Sequence, residues 1–461
     1  MRQRTRSYPR RWFIYTSTGL FIFLCLAIIL AAFLLLRRGR LPRSGLITGS
    51  SMEPVFRGPR YLWSCSLCKE SQEFALDTCK SNQPFRCQFC SKIDFESGVD
   101  FDDVESIHNR IRPGDQVRFA TLRTIRANRA HEIANGLAHE SGLQRGDVVV
   151  FQESREAKRE VKRIVGFAFE QITVKGGDLF VNQERWCKTL EQSLRQSILL
   201  HAWERAISTK QHESPQPSGQ WKIDGQEFQG VLNSKTSETT AQGAMKLRFE
   251  NDLHEDINNQ LAVNAHDSHV IVSVPDFGIA LQLSRLESPW KIKCIFHSWL
   301  SRPVVSLELL GSSLTIESGD QVARVELFQR QDKSVWIAIA MVDGHLLIGS
   351  QDEEWLRAKL PLIPANMPLS ESHENAPIEI NSISGSLEID QLLVFRDIYY
   401  RGNGDSDAQT WSSGERIVVL GDNVSASSDS RERWPDGLPP NSAKGVVLQT
   451  ESPIEVLLRQ R

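Results

Sequence analysis

The spacing of apolar side chains changes character along the chain. Residues 13–36, FIYTSTGLFIFLCLAIILAAFLLL, carry no charged side chain. A helix of this length reaches roughly 36 Å at 1.5 Å per residue, enough to span a hydrocarbon core of about 30 Å. The run ends in RRGR at residues 37–40 rather than at a small-residue cleavage site, which predicts an uncleaved anchor instead of a signal peptide. Arginine stands at positions 2, 4, 6, 10 and 11 before the run and at 37, 38, 40 and 43 after it. The excess before the run places residues 1–12 on the cytoplasmic side. Residues 13–36 are then a transmembrane helix, and the rest of this single-pass chain lies on the extracytoplasmic side of the cell membrane.

Beyond the anchor the pattern turns to short alternating runs. A polar stretch at 121–142 predicts a helix. GDVVVFQ at 146–152 and VKRIVGF at 161–167 read as buried strands, and ITVKGGDLFVNQE at 172–184 reads as a hairpin turning at Gly176 and Gly177. A helical spacing over 188–207 ends in the linker-like STKQHESPQPSGQ. From 221 to 400 many strand-like runs, among them HVIVSV, GIALQLS, WKIKCIF and SVWIAIAMV, follow one another without helical segments. That spacing predicts an all-β sandwich. The order of its runs resembles concanavalin-like or laminin-G-like jelly rolls. Strand, polar loop and strand return at 415–449.

Composition narrows the reading only a little. At 461 residues more than one domain is expected. A charged fraction of 24% with a net charge of −3 makes no electrostatic case for nucleic acid. The cysteines add more. Cys65 and Cys68, then 18 residues, then Cys87 and Cys90 have zinc-ribbon spacing. Four thiolates leave no open coordination position, so a Zn²⁺ there would be structural. Outside the membrane, paired disulfides are the alternative.

Three separated pieces carry candidate chemistry: GSSMEP at 49–54, RGDVVVF…VKRIVG at 145–166, and LGDNVSASSDSR at 420–431. A serine hydroxyl needs a nearby base, and no histidine or aspartate here sits in a recognisable serine-protease context. Lysine can be that base only when desolvation keeps it neutral. Lys162 lies in a β-branched, apolar strand, whereas Lys158, in REAKRE, is expected to be solvated.

In this order, behind an N-terminal anchor, the three pieces resemble the boxes of the type I (leader) signal peptidases, membrane-anchored serine–lysine proteases that remove signal peptides. The similarity covers the anchor, residues 44–60 and 113–186, and 411–450. The resemblance implies a signal-peptidase-type all-β catalytic core in two parts, 44–186 and 411–461. A zinc-ribbon-like insert occupies 61–92, a helix and linker 187–220, and the inserted sandwich 221–410. It also implies Ser51 as nucleophile and Lys162 as general base. Ser427 would orient the lysine, Asp429 and Arg431 would brace the loop, and Gly421, Asp422 and Asn423 would form its turn. Gly49, Ser50, Met52 and Pro54 would approach substrate, with the Ser51 N–H as an oxyanion donor. Ala168, Phe169 and Glu170 depart from the family's turn after the lysine strand. Val424 and Ala426 depart within the third box, and Gly49 offers no side-chain oxyanion donor.

The implied partners are signal-peptide-bearing preproteins and the lipid bilayer, with a glycan or protein ligand for the sandwich. No cofactor is needed for catalysis. Two other readings compete: a membrane-tethered binding protein using a degenerate peptidase core as scaffold, and a repressor-type serine–lysine peptidase.

Overall fold

The computed structural model describes residues 42–460 with gaps, the longest at 205–220, 234–245, 250–273 and 361–377, and before residue 42 it describes Ile28 alone. The apolar run at 13–36 therefore lies outside the described residues, Ile28 excepted. Among the described residues no helix is long and apolar enough to cross a membrane.

The protein is mainly β. One six-stranded antiparallel sheet is assembled from both ends of the chain, in the order Arg43–Leu46, Gln116–Thr121, Ala443–Val447, Val148–Phe151, Glu160–Gly166 and Val418–Leu420. The interior strand Val148–Phe151 reads as a continuous apolar run because both of its faces are covered, all four residues being buried, whereas Gln116–Thr121 keeps exposed positions at Gln116 and Arg118. A four-stranded antiparallel sheet (Glu184–Arg185, Asp178–Val181, Gln171–Lys175, Ala408–Ser412) again joins the two parts of the chain. Its hairpin turns at Gly176 and Gly177, both with positive φ. At Gly177 an added Cβ would also lie 2.4 Å from the Tyr399 ring.

Between these parts two seven-stranded sheets face each other as a sandwich. Trp290–Phe296 alternates buried and half-buried positions along its length. This is the period of a strand with one face on a core. Phe277, Ile279, Ile292, Phe296, Leu307, Ile337 and Ile380 fill the space between the sheets.

The expected helix at 188–207 is shorter and gives way to a strand. Leu190–Gln196 is helical, capped by Thr189 and Gln192, and Ile198–Glu204 then pairs with Ser386–Arg396 in the sandwich. Sheet pairing of ILLHAWE overrides its helical spacing, so the sandwich takes in residues before 221. The polar stretch at 121–142 holds two short helices, Leu122–Asn128 and Ala130–Ala134.

The sandwich is packed onto the core and not merely tethered to it. The C-terminal helix Pro453–Leu458 contributes Ile454 and Leu457 to a cluster with Leu190, Leu194, Ala338 and Phe395, on the outer face of one sandwich sheet. Val456 of the same helix packs with Met52, Val55 and Phe56. At the junction Lys188 Nζ donates to Asp343 Oδ1 at 3.0 Å and to Asp397 Oδ2 at 2.8 Å.

The insert that follows the first box forms a three-stranded sheet, Ser71–Ala75, Arg60–Ser64 and Ile111–Arg112, and a two-stranded one, Pro84–Arg86 with Ile93–Phe95. Tyr61, Trp63, Phe74, Phe85 and Phe101 pack together as its core.

Candidate active site

Lys162 lies on the Glu160–Gly166 strand, opposite Val149 and next to the strand Val418–Leu420. The residue is 2% exposed, and its amine donates to Ser427 Oγ at 2.8 Å. Ser427 in turn donates to Asp429 Oδ2 at 2.8 Å. Arg431 grips the same carboxylate, Nε to Oδ1 at 2.9 Å and Nη2 to Oδ2 at 2.7 Å, while the Gly421 and Arg431 N–H groups donate to it at 2.8 and 3.0 Å. Lysine, serine, carboxylate and guanidinium thus form one buried relay.

Burial pushes the Lys162 amine down to about 8, and the nearby Asp429 carboxylate is the main opposing influence. Burial on its own would raise the Asp429 carboxyl, but its Arg431 and backbone donors outweigh that and hold it below the usual carboxylate range. Asp429 therefore stays an anion inside the protein, its charge already answered by Arg431. Lys158, the other lysine of this region, is exposed.

The turn carrying Ser51 meets this relay at Gly421. A Cβ placed on Gly421 would lie 2.0 Å from Ser427 Oγ and 2.5 Å from the Ser51 carbonyl oxygen, so those two oxygens are at most about 4.5 Å apart. Only glycine permits that approach. Asn423 fastens the turn: its N–H donates to the Ser51 carbonyl at 3.1 Å, and its side-chain amide donates to the Ser50 carbonyl at 3.1 Å. Asp422 is held from behind by Arg163, whose Nε donates to Oδ1 at 2.7 Å and whose Nη2 pairs with Oδ2; both residues are almost fully buried. The structure therefore brings Ser51, Lys162, Gly421, Asp422, Asn423, Ser427, Asp429 and Arg431 together.

The residues around the serine face different ways. Ser51 is half-buried, and among the described residues its N–H makes no hydrogen bond. Met52 is interior, packed with Val55, Phe56, Val117 and Val150. Pro54 is half-buried. The Ser50 N–H and hydroxyl both donate to Asp77 Oδ2, at 2.8 and 3.0 Å, and the missing side chain of Gly49 would point toward that same oxygen. Glu53 is buried against Arg60 at 2.9 Å, and burial pushes its carboxyl up to about 7. At the altered turn after the lysine strand, Glu170 accepts from the Phe167 N–H at 2.6 Å and pairs with Arg145 at 2.7 Å.

Sequence reasoning missed Arg163 and Asp77. Arg163 sits beside Lys162 in the second box, and an arginine in an apolar strand is itself a sign of a buried acidic partner. Asp77 had no such signal, being 26 residues from Ser51 inside the cysteine-bearing insert.

Of the cysteines read as ligands, Cys65 is buried and Cys68 half-buried, while Cys87 and Cys90 lie outside the described residues. Among the described residues, Asp178, Asp276 and Asp343 bring carboxylate oxygens within 4.8 Å of one another. Arg185, Lys188 and the Asp343 N–H partner these carboxylates, so the set is in part neutralised from within.

Residues 18–228 match the model of the family described as signal peptidase, peptidase S26. That span holds the first two boxes and ends before the third. No curated protein matches the sequence. Similar solved structures include a prokaryotic beta-1,3-1,4-glucanase (lichenase) derived from a mouse hindgut metagenome, with 10% identity over 36% of this chain and 78% of that one and a TM-score of 0.23. They also include the Caenorhabditis elegans galectin LEC-6, with 8% identity over 37% and 99% and a TM-score of 0.21. The exoplasmic/lumenal domain of VIP36 in its Ca²⁺/Man₃GlcNAc-bound form shows 9% identity over 45% and 95%, with a TM-score of 0.27. Scores this low leave the sandwich to be described by its own strand order.

Proposed function

We propose that the protein is a membrane-bound serine endopeptidase of the signal peptidase type, with Ser51 as nucleophile and Lys162 as general base. The observation that carries this reading is the buried Lys162 amine, hydrogen-bonded to Ser427 beside the Ser51 carbonyl. Ordinary lysine, at about 10.4, is neutral in roughly one molecule in 2,500 at pH 7. At about 8 the neutral fraction is near one in eleven. Burial therefore supplies a base on the order of 200-fold more often.

In the proposed reaction Lys162 Nζ takes the Ser51 proton as Oγ adds to the scissile carbonyl, and the oxyanion is met by the Ser51 N–H. The resulting ammonium gives its proton to the leaving amine, and the peptide bond breaks to leave an acyl-enzyme. Water, deprotonated by the same lysine, then releases the acid. Ser427 supports this cycle by fixing the amine, and Asp429 by accepting from Ser427 without titrating near neutrality.

The substrates would be preproteins whose own apolar segment lies in the bilayer. Their cleavage sites would then sit near the height of Ser51, about fifteen residues beyond the 13–36 anchor. We infer an extracytoplasmic site on a single-pass chain with a cytoplasmic N-terminus. We also infer a structural Zn²⁺ held by Cys65, Cys68, Cys87 and Cys90, outside the reaction. The sandwich would take a glycan or protein ligand. As a scaffold with a degenerate peptidase core, the protein would have no need of a dehydrated lysine aligned on Ser427.

The test is cleavage of a preprotein in detergent by the wild type, Ser51→Ala and Lys162→Ala. Both variants should remain folded and lose at least a thousandfold in turnover, a size in keeping with loss of nucleophile or base. Equal turnover by all three would refute the dyad.

A further inference from the structure

The turn bearing Ser51 is held from two directions. Asn423, from the third box, takes the carbonyls of Ser50 and Ser51. Asp77 takes the Ser50 N–H and hydroxyl from the opposite direction. Asp77 belongs to the short 3₁₀ turn Leu76–Thr78, which follows the strand Ser71–Ala75 and is tied by the Leu76 N–H to the Pro59 carbonyl at 2.8 Å. The two segments leave no slack between them: a Cβ on Gly58 would lie 2.9 Å from the Gly49 backbone. Ser50 itself is 2% exposed, whereas Asp77 stands at the surface and turns its carboxylate inward onto the buried Ser50 N–H and hydroxyl.

We propose that Asp77 is a positioning residue for the nucleophile, which makes the cysteine-bearing insert a working part of the peptidase site. This rests on the serine–lysine reading above. The carboxylate and Asn423 hold opposite ends of the Ser50 residue, its N–H and its carbonyl. Together they set the orientation of the next peptide, which carries the Ser51 N–H, and the direction in which Ser51 Oγ leaves the backbone. The Ser51 N–H stays available because the acceptor is spent on Ser50. Anything that unfolds the insert would release the turn and lower the rate of chemistry, even with Lys162, Ser427 and Asp429 unchanged. Substrate affinity, to which Asp77 would contribute no contact of its own, would change little.

The experiment compares the wild type with Asp77→Asn, Asp77→Ser, Asp77→Ala and Ser51→Ala on one detergent-solubilised preprotein, measuring kcat, KM and thermal unfolding. An asparagine carbonyl can still accept the Ser50 N–H, so Asp77→Asn should stay within about threefold of the wild-type kcat. Asp77→Ala and Asp77→Ser remove the charged acceptor of two hydrogen bonds, from the Ser50 N–H and hydroxyl, and kcat should fall about 10- to 100-fold with KM within twofold. Asp77→Ser retains a polar side chain and decides the matter should Asp77→Ala fail to fold. Wild-type kcat in a folded Asp77→Ser or Asp77→Ala variant would overturn the inference. So would an Asp77→Asn loss as large as theirs, or a loss carried by KM alone. Undiminished turnover by Ser51→Ala would sink the serine–lysine reading and this inference with it, whereas the preceding outcomes sink the inference alone.

Discussion

Gly421→Ala is the smallest change that strikes both halves of the proposed site at once. The added methyl would lie 2.0 Å from Ser427 Oγ, 2.4 Å from Ser427 Cβ and 2.5 Å from the Ser51 carbonyl oxygen. Ordinary contact begins near 3.4 Å, so those groups must retreat by roughly 1 Å or more. Neither retreat is easy. The Ser51 oxygen is backbone held by the Asn423 N–H, and Ser427 is pinned between Lys162 and Asp429. Overpacking of this kind costs about 1–3 kcal/mol of stability. The same displacement separates the serine from the lysine's partner, and a misplacement of about 1 Å costs on the order of 100-fold in rate. The assay is single-turnover cleavage of a preprotein in detergent with thermal unfolding alongside. Gly421→Ala should unfold a few degrees early and cleave about 100-fold more slowly. Cleavage within twofold of wild type, in a folded variant, would refute the close approach of Ser51 and Ser427 on which the site is built.

Other outcomes follow from the same geometry. The rate should rise about tenfold per pH unit up to about 8 and then level, because Lys162 must lose its proton to act as base; an acid limb centred below pH 6 would rule it out. The folded-state pKa of Lys162 is depressed, so the native state binds fewer protons between about 8 and 10.4, and stability gains from this group as pH rises through that window. At pH 7 Lys162→Met should therefore be inactive yet more stable by about 1–3 kcal/mol in a denaturant titration, whereas a lysine serving only structure would leave the variant weaker. Arg163→Met strands the Asp422 carboxylate in the interior, and chemical denaturation should register a loss of about 3–5 kcal/mol. Metal analysis of purified protein should find one zinc per chain, and its removal by chelation should lower the melting temperature.

Much of the fold was legible because buried β-branched runs and alternating burial both write themselves into the local order of residues. The strands at 146–152 and 161–167, the hairpin at Gly176 and Gly177 and the long run of sandwich strands all announce themselves in local periodicity. ILLHAWE misled because its apolar residues suit either period, and only pairing with Ser386–Arg396 made it a strand. Helix spacing also said nothing of where the last helix goes. Pro453–Leu458 joins the sandwich to the cluster around Met52 through contacts hundreds of residues apart in the chain.

The candidate site divides in the same way. Local patterning singled out a serine in a glycine-rich turn, a lysine in an apolar strand and a loop dense in serine and aspartate, because the proposed nucleophile, base and anion would each demand a residue type and a neighbourhood. Distance, charge state and support lie outside that local information. Burial between the strands Val148–Phe151 and Val418–Leu420 pushes the Lys162 amine down, and its hydrogen-bond partner is Ser427, 265 positions away. Arg163 on Asp422 and Asp77 on Ser50 are pairings between segments that only folding brings within hydrogen-bond reach, so no reading of spacing could have joined them.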